Sequence, residues 1–382
     1  MIPVNEPLFD GNEKRYLNQC IVDGWVSSDG PFVKEFEEKF SSYLGSRHGV
    51  AVCNGTVALE TALFAAGITK GDEVIMPAFT IISCAAAALR LGAKPVLVDS
   101  EPDTWNMDIT QIEGKITERT KAIMPVHIYG HPVDMDPVME LAEKYGLRVI
   151  EDAAEVHGAL YKGKKAGSIG DAGCFSFYAN KIITTGEGGM IVTDDEDVAE
   201  RARSYRNLCF KPERRFYHTE LGENFRMTNL QAAIGVAQLE QIDRFVEIKR
   251  ENARRYAESL KGIKGIATPV EKEWARNVYW MYAIELSESL GLTAEQMAER
   301  LAEKGIGTRP FFLGLHEQPV LHDMGLFIGE RYPVTERIAR QGLYLPSGLT
   351  ITSREVATVT DAIKKILDET RQEPRLCEIK RF

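Results

Sequence analysis

The sequence predicts an α/β protein: a large N-terminal domain with a mostly parallel seven-stranded sheet, then a smaller C-terminal α+β domain. Short apolar runs alternate with helix-like stretches through the first two-thirds of the 382 residues. The runs are continuously apolar, as in strands that helices cover on both faces. After about residue 260 the alternation gives way to shorter mixed elements. We therefore expect a large domain at 1–245 and a small one at 246–382.

The predicted elements follow this pattern in chain order. Strands are expected at 49–53, 73–76, 95–98, 122–127, 148–150, 173–177 and 190–192. Helices are expected at 56–66, 82–91 and 135–145, and one long helix is expected at 229–260. The C-terminal region is expected to contain a strand at 278–285, a helix at 293–303, a strand at 307–311 and a helix at 353–369.

Composition excludes several classes of function. A net charge of −10 argues against a nucleic-acid or anionic-membrane partner, which needs a basic surface. No apolar run reaches the length of a membrane span, and the first residues do not resemble a signal peptide. The six cysteines form no CxxC pair and sit mostly in apolar runs, as in a reduced protein. A cytoplasmic enzyme is the expected class.

Two segments with polar chemistry follow predicted strands, where ligands collect in open α/β sheets. In the first, Gly55 and Thr56 come where a strand runs into a helix, and the amides of such a turn favour a phosphate. An ordinary helix cap is the alternative. In the second, Asp152 directly follows an apolar strand, where an unpaired carboxylate is costly. A pyridoxal 5′-phosphate (PLP) site needs such an acid beside the pyridine nitrogen, although a helix cap explains it equally well.

Two further segments carry a lysine and a polar run. Lys181 lies just past a strand ending in Phe177, where desolvation favours the nucleophilic amine, and Ser176 can offer a hydroxyl to phosphate. Taken alone, such a lysine is more often a surface residue. The glycines at 186–189 match neither a P-loop nor a dinucleotide fingerprint. The polar run at 222–230 ends where the long helix begins, so Thr228 or Asn229 can be its cap.

In order and spacing, these four segments resemble the DegT/DnrJ/StrS family of PLP-dependent sugar aminotransferases, and the similarity covers nearly the whole chain. The resemblance implies the aspartate-aminotransferase fold of the fold type I PLP enzymes. It identifies Lys181 as the Schiff-base lysine and catalytic acid/base, and Asp152 as the catalytic acid that pairs with the pyridine nitrogen. Glu155 matches a position near the phenolic oxygen of the cofactor.

The same resemblance implies how the cofactor phosphate is held. Gly55, Thr56 and Ser176 match the phosphate cradle. Asn229 matches an asparagine that reaches the cofactor phosphate of the neighbouring subunit, which implies a homodimer with shared active sites. Many relatives place an aromatic residue over the cofactor ring where this chain has Ile81, so we expect an aliphatic face there, and the part played by Phe79 stays open.

The detailed match is to C4 aminotransferases of nucleotide-linked 4-keto-6-deoxy sugars, with glutamate as amino donor. The expected reaction converts GDP-4-keto-6-deoxy-mannose to GDP-perosamine, and a dTDP- or UDP-linked sugar is the alternative. Arg309 and His316 either meet the substrate or lie on the surface of the small domain.

Four other functions are weighed against this one. A sugar dehydratase on the same fold would have histidine in place of Lys181, and a non-catalytic regulator would be expected to lose Lys181 or Asp152. A metalloenzyme could start from His127, His131, Asp134 and Asp136, but no metal is expected, since the two histidines lie across a strand end and a turn and not along one helix. A nicotinamide dehydrogenase would need an early glycine fingerprint, which the sequence lacks.

Overall fold

The computed structural model describes residues 1–211 and 213–379. Its strands, in chain order, are β1 His48–Val52, β2 Glu73–Pro77, β3 Lys94–Val98, β4 Thr120–Ile123, β5 Arg148–Asp152, β6 Leu160–Tyr161, β7 Lys164–Lys165, β8 Ala172–Ser176, β9 Gly189–Thr193, β10 Ile266–Ala267, β11 Ala275–Arg276, β12 Tyr282–Leu286, β13 Arg309–Pro310 and β14 Gly342–Leu345. Its α-helices are α1 Glu13–Asp23, α2 Pro31–Leu44, α3 Gly55–Ala65, α4 Ser83–Arg90, α5 Met135–Tyr145, α6 Glu196–Tyr205, α7 Asn229–Leu239, α8 Ile242–Leu260, α9 Ala294–Glu303, α10 Pro319–Asp323, α11 Pro333–Gln341 and α12 Ser353–Ile379.

The large sheet has seven strands in the order β1-β9-β8-β5-β4-β2-β3. Strands β8, β5, β4, β2 and β3 pair in parallel, and only β9 runs antiparallel to its neighbours β1 and β8. All seven predicted strands are present, and the mostly parallel sheet is confirmed. Since every strand except β9 points the same way, the segments after β1, β5 and β8 emerge at one edge.

The C-terminal region contains a four-stranded antiparallel sheet, β10-β12-β14-β13, with its own apolar core against α8, α9 and α12. The chain's first residues join this region, because Ile2 bridges to Ile306 and Val4 accepts a hydrogen bond from the Ser347 amide. The division into domains 1–245 and 246–382 stays a prediction, and its residues 380–382 lie outside the described part of the chain.

Three elements differ from the predictions. The strand expected at 307–311 is shortened to β13 at Arg309–Pro310. The helix expected at 229–260 is two helices, because Gln241 leaves the helical conformation at φ −111° and ψ 0°. The break lets α7 pack on α1 and α2 while α8 packs on α12. The strand expected at 278–285 begins only at Tyr282, and the preceding residues turn toward the large sheet, where the Val278 amide bonds to the carbonyl of Gly130.

Candidate active site

A cavity of about 920 Å³ lies at the carboxyl edge of the large sheet. The segments after β1, β5 and β8 all line it, as does a group of aromatic side chains from the C-terminal region. It therefore gathers all but one of the sequence-predicted site residues: Gly55, Thr56, Asp152, Glu155, Ser176 and Lys181.

The first turn of α3 forms one end of the cavity. Asn54 caps the helix by accepting a hydrogen bond from the Val57 amide at 3.0 Å, and this leaves the amides of Gly55 and Thr56 without intrahelical partners. A Cβ on Gly55 would lie 2.7 Å from the Cβ of Ser176, so glycine is required for this close approach. The turn is thus both an ordinary cap and an anion-binding helix end.

Asp152 ends β5 and is 4% exposed. One carboxylate oxygen accepts a hydrogen bond from the Ala154 amide at 3.1 Å, and the other accepts one from the buried thiol of Cys84 at 3.1 Å. No helix begins at Asp152, so the helix-cap interpretation is wrong. Its carboxylate is held rigidly at the cavity wall.

Lys181 and Glu155 face each other across the cavity floor, with 3.7 Å between Nζ and Oε1. Burial lowers the pKa of Lys181, while the charges of Glu155 and Asp152 act in the opposite direction. Burial raises the pKa of Glu155 to about 7 against the opposing effects of Lys181 and of the Tyr129 amide, which donates to Oε2 at 2.7 Å. Both shifts favour the neutral amine and the neutral acid over the ion pair.

Sequence reasoning missed the aromatic side of the site. Trp280, Phe312 and Tyr344 line the cavity, and the centre of the Trp280 ring lies 3.8 Å from Nζ of Lys181. The run at 278–285 predicts a strand, so no signal in it placed Trp280 at the lysine. Ile81 also lines the cavity and is 47% exposed, whereas Phe79 is fully buried against Tyr129 and Phe312.

Asn229 lies at the start of α7, outside the lining of the cavity. Thr228 is the cap of α7, in a capping box with Gln231, so Asn229 falls inside the helix and is fully buried. Its amide nitrogen donates to the carbonyl of Trp25 and to the sulfur of Cys20, and its oxygen accepts from a backbone amide of α2. Both polar atoms of this side chain therefore have partners within its own chain, and the expected contact with the phosphate of a neighbouring subunit stays a prediction.

The remaining polar residues singled out by sequence lie elsewhere. Arg309 is exposed on β13, and His316 is buried 3.4 Å from Glu336, so neither lines the cavity. His127 bonds to Glu151, and His131 bonds to its own neighbouring backbone. Within residues 1–211 and 213–379, no group of side chains is arranged to hold a metal ion, and no helix is both long and apolar enough to span a membrane.

Known proteins resemble this chain over nearly its full length. A model of the DegT/DnrJ/EryC1/StrS aminotransferase family matches residues 7–364. GDP-perosamine synthase of Caulobacter vibrioides is 44% identical over 367 residues, 96% of this chain and 98% of the relative. GDP-perosamine synthase of Escherichia coli O157:H7 is 41% identical, covering 96% of this chain and 99% of the relative. The crystal structure of DesI, solved with its TDP-sugar product, superposes with a TM-score of 0.89 at 32% identity, covering 100% of this chain and 95% of that one.

These matches confirm the resemblance drawn from the four sequence segments and account for the aspartate-aminotransferase-like arrangement of the sheet. The chain belongs to the DegT/DnrJ/EryC1/StrS aminotransferase family.

Proposed function

We propose that this protein is a PLP-dependent aminotransferase that moves an amino group from glutamate to C4 of GDP-4-keto-6-deoxy-mannose, giving GDP-perosamine. The observation that carries the proposal is the convergence of Lys181, Asp152 and the first turn of α3 on one cavity. A reactive amine, a buried acid and an anion-binding helix end are the three features that a pyridoxal phosphate requires.

The residues present fit this cofactor. The free amides of Gly55 and Thr56, with the hydroxyl of Ser176, match a phosphate group. The fixed carboxylate of Asp152 matches a protonated ring nitrogen, because a buried carboxylate is stabilised by a cationic partner. Bound PLP would supply an electron sink for the carbon–nitrogen chemistry.

Lys181 and Glu155 are assigned the proton chemistry. With PLP bound, the amine of Lys181 would hold the cofactor at its aldehyde carbon, and the free amine would accept and donate a proton at the substrate carbon. Its lowered pKa increases the fraction of neutral amine available for both steps. Glu155, next to this amine, is placed to hydrogen-bond the phenolic oxygen of the cofactor.

Substrate identity rests on the relatives. Both GDP-perosamine synthases cover this chain almost from end to end at 41% and 44% identity, so we assign the same GDP-linked 4-keto sugar as substrate. DesI, at 32% identity, was solved with a TDP-sugar, which keeps a dTDP-linked sugar as the second candidate.

We propose a homodimer because the cavity lining carries more negative than positive charge. The lining carries five carboxylates and two cations, Arg90 and Lys181, and Arg90 already pairs with Glu60 at 3.3 Å. A phosphorylated cofactor and a nucleotide diphosphate add further negative charge, so cations are needed from outside this lining. A second copy of the chain would bring them, and it would cover the exposed apolar side chains of Ile21, Val22, Trp25 and Val26.

The substitution Val22→Glu tests whether the exposed apolar side chains around Val22 form the dimer interface. Val22 is 84% exposed, so the charge is tolerated in a monomer but opposes burial in an interface. Light scattering after gel filtration should report a dimer for the wild type and a monomer for Val22→Glu. Met324→Glu, at an exposed apolar position directly after α10, is the control and should stay dimeric. A dimeric Val22→Glu protein would show that the face is wrong.

The catalytic proposal is tested by absorbance. PLP-loaded protein should be yellow, lose its colour with glutamate, and regain it with GDP-4-keto-6-deoxy-mannose. If only a dTDP- or UDP-linked 4-keto sugar restores the colour, the GDP assignment is wrong and the aminotransferase assignment stands. If glutamate and the ketosugars leave the spectrum unchanged, the aminotransferase proposal is wrong.

A further inference from the structure

Trp280 contacts both the backbone and the head group of Lys181. Its indole N–H donates to the carbonyl of Asn180, the residue before Lys181, at 2.8 Å. The centre of its ring lies 3.8 Å from Nζ of Lys181. The side-chain amide of Asn5 donates to the same carbonyl at 2.9 Å. A single side chain thus holds the peptide that carries the lysine and covers its amine.

Trp280 is itself held in place by the turn at Ile128–Gly130, which follows β4. The Val278 amide donates to the carbonyl of Gly130 at 3.1 Å, and the Trp280 ring stacks on Tyr129 at a centroid distance of 6.2 Å. A Cβ on Gly130 would lie 2.6 Å from the Trp280 amide, so the two backbones are in close contact. With 3% of its surface exposed, the indole has a fixed position from which to act on the lysine.

The charges near Lys181 show what the indole adds. Glu155 lies 3.7 Å from Nζ, and Asp152 also favours the ammonium form, but burial lowers the pKa of the lysine. His157, buried nearby, has its pKa lowered to about 3 by burial and by the lysine charge, so it is neutral. An aromatic face stabilises an adjacent cation, and more strongly where water is excluded. The Trp280 ring therefore offsets part of the destabilisation that burial imposes on the ammonium form of Lys181.

We propose that Trp280 is a positioning residue for Lys181: its N–H fixes the backbone at Asn180, and its ring holds the amine toward the cavity and stabilises the ammonium form. This inference rests on the proposed function for its catalytic meaning, since Lys181 has to donate a proton as well as accept one. The contact itself is a property of the protein without cofactor.

The test measures the basicity of Lys181 in the full-length protein freed of cofactor. Trace acetylation with acetic anhydride at a series of pH values, followed by peptide mass spectrometry, gives the midpoint at which Lys181 becomes reactive. Trp280→Leu removes the ring and should lower this midpoint by roughly 0.5–1.5 pH units. Trp280→Phe keeps an aromatic face without the N–H, and its midpoint should stay near that of the wild type.

Two controls separate this effect from damage to the fold. Trp274→Phe changes a tryptophan that packs on His131 and Tyr161, away from the lysine, and should leave the midpoint unchanged. Trp280→Met fills more of the space than leucine and serves if Trp280→Leu does not fold. A midpoint in Trp280→Leu or Trp280→Met equal to that of the wild type would overturn the proposal, as would an equal shift in Trp280→Phe and Trp280→Leu.

A second measurement tests the catalytic meaning. In PLP-loaded protein, Trp280→Leu should slow the reaction with glutamate about tenfold in kcat with little change in KM, because proton transfer and not binding is affected. Trp280→Phe should recover most of the rate. If the protein fails to bind PLP, the proposed function is wrong while the acetylation midpoints still decide whether Trp280 acts on Lys181.

Discussion

Two buried glutamates four residues apart, Glu151 and Glu155, show opposite electrostatic behaviour. Glu151 is fully buried, and its carboxylate accepts hydrogen bonds from the amides of Gly167, Ile169 and Gly170 at 2.6–2.8 Å, besides its contact with His127 at 2.9 Å. These donors outweigh desolvation and lower its pKa.

Glu155 is also buried but has fewer donors. It accepts one backbone hydrogen bond, from Tyr129, and its other oxygen faces Lys181 at 3.7 Å. Burial therefore raises its pKa to about 7. The supply of donors, and not the depth of burial, decides which carboxylate stays charged. Glu151 holds the end of β5 in place, whereas Glu155 is free to exchange a proton beside the cavity.

The largest expected effect on activity comes from removing Lys181, which faces Glu155 in the cavity. Lys181→Ala deletes the amine to which we assign cofactor attachment and proton transfer, so the rate of colour loss with glutamate should fall by roughly 10³-fold or more. Lys121→Ala, at an exposed lysine remote from the cavity, is the control and should keep full activity. Near-normal turnover in Lys181→Ala would contradict the assignment of Lys181.

Glu151→Gln should cause the largest loss of stability. An amide offers one acceptor oxygen in place of two and turns an NH₂ group toward backbone donors, so the free energy of unfolding should fall by about 2–4 kcal/mol. Urea unfolding at pH 7 measures this fall. Glu118→Gln, at an exposed carboxylate, should change it by less than about 0.5 kcal/mol.

The loss of stability caused by Glu151→Gln should depend on pH in one direction. A carboxylate whose pKa is lowered on folding stabilises the protein above its ordinary value of 4.5, and this contribution is lost as the pH falls through the folded-state value. The difference in stability between wild type and Glu151→Gln should therefore shrink below pH 4.5. A difference that stays constant would mean that the charge of Glu151 is irrelevant.

The strands of the large sheet, and the position of the site at their carboxyl ends, could be predicted from the sequence. The seven strands of the large sheet are continuous apolar runs, and a parallel sheet brings their ends together, so Asp152 and Lys181 could be placed at one edge. Glu155 follows from the family resemblance, but its raised pKa depends on how few donors the folded chain supplies.

Other features depend on contacts that no local pattern encodes. The apolar period runs on from α7 into α8, and the break at Gln241 arises because the two helices pack on different partners. Trp280 lies at the lysine because the segment before β12 docks on Gly130, a contact between residues far apart in sequence. The polar run leaves Thr228 and Asn229 as alternative caps of α7, and the folded chain uses Thr228, in a capping box with Gln231.

The contrast between the two glutamates is tested most directly by Glu155→Gln, whose effect on stability should have the opposite sign. A carboxyl group whose pKa is raised on folding stabilises the protein below its ordinary value of 4.5, and this contribution is lost as the pH rises to about 7. Glu155→Gln should therefore gain stability over the wild type between pH 4.5 and 7, by about 3 kcal/mol, and little more above that range. Urea unfolding of cofactor-free protein across this range measures the gain. As the pH rises from acid, the free energy of unfolding relative to the wild type should fall for Glu151→Gln and rise for Glu155→Gln. The same pH dependence in both variants would contradict the contrast.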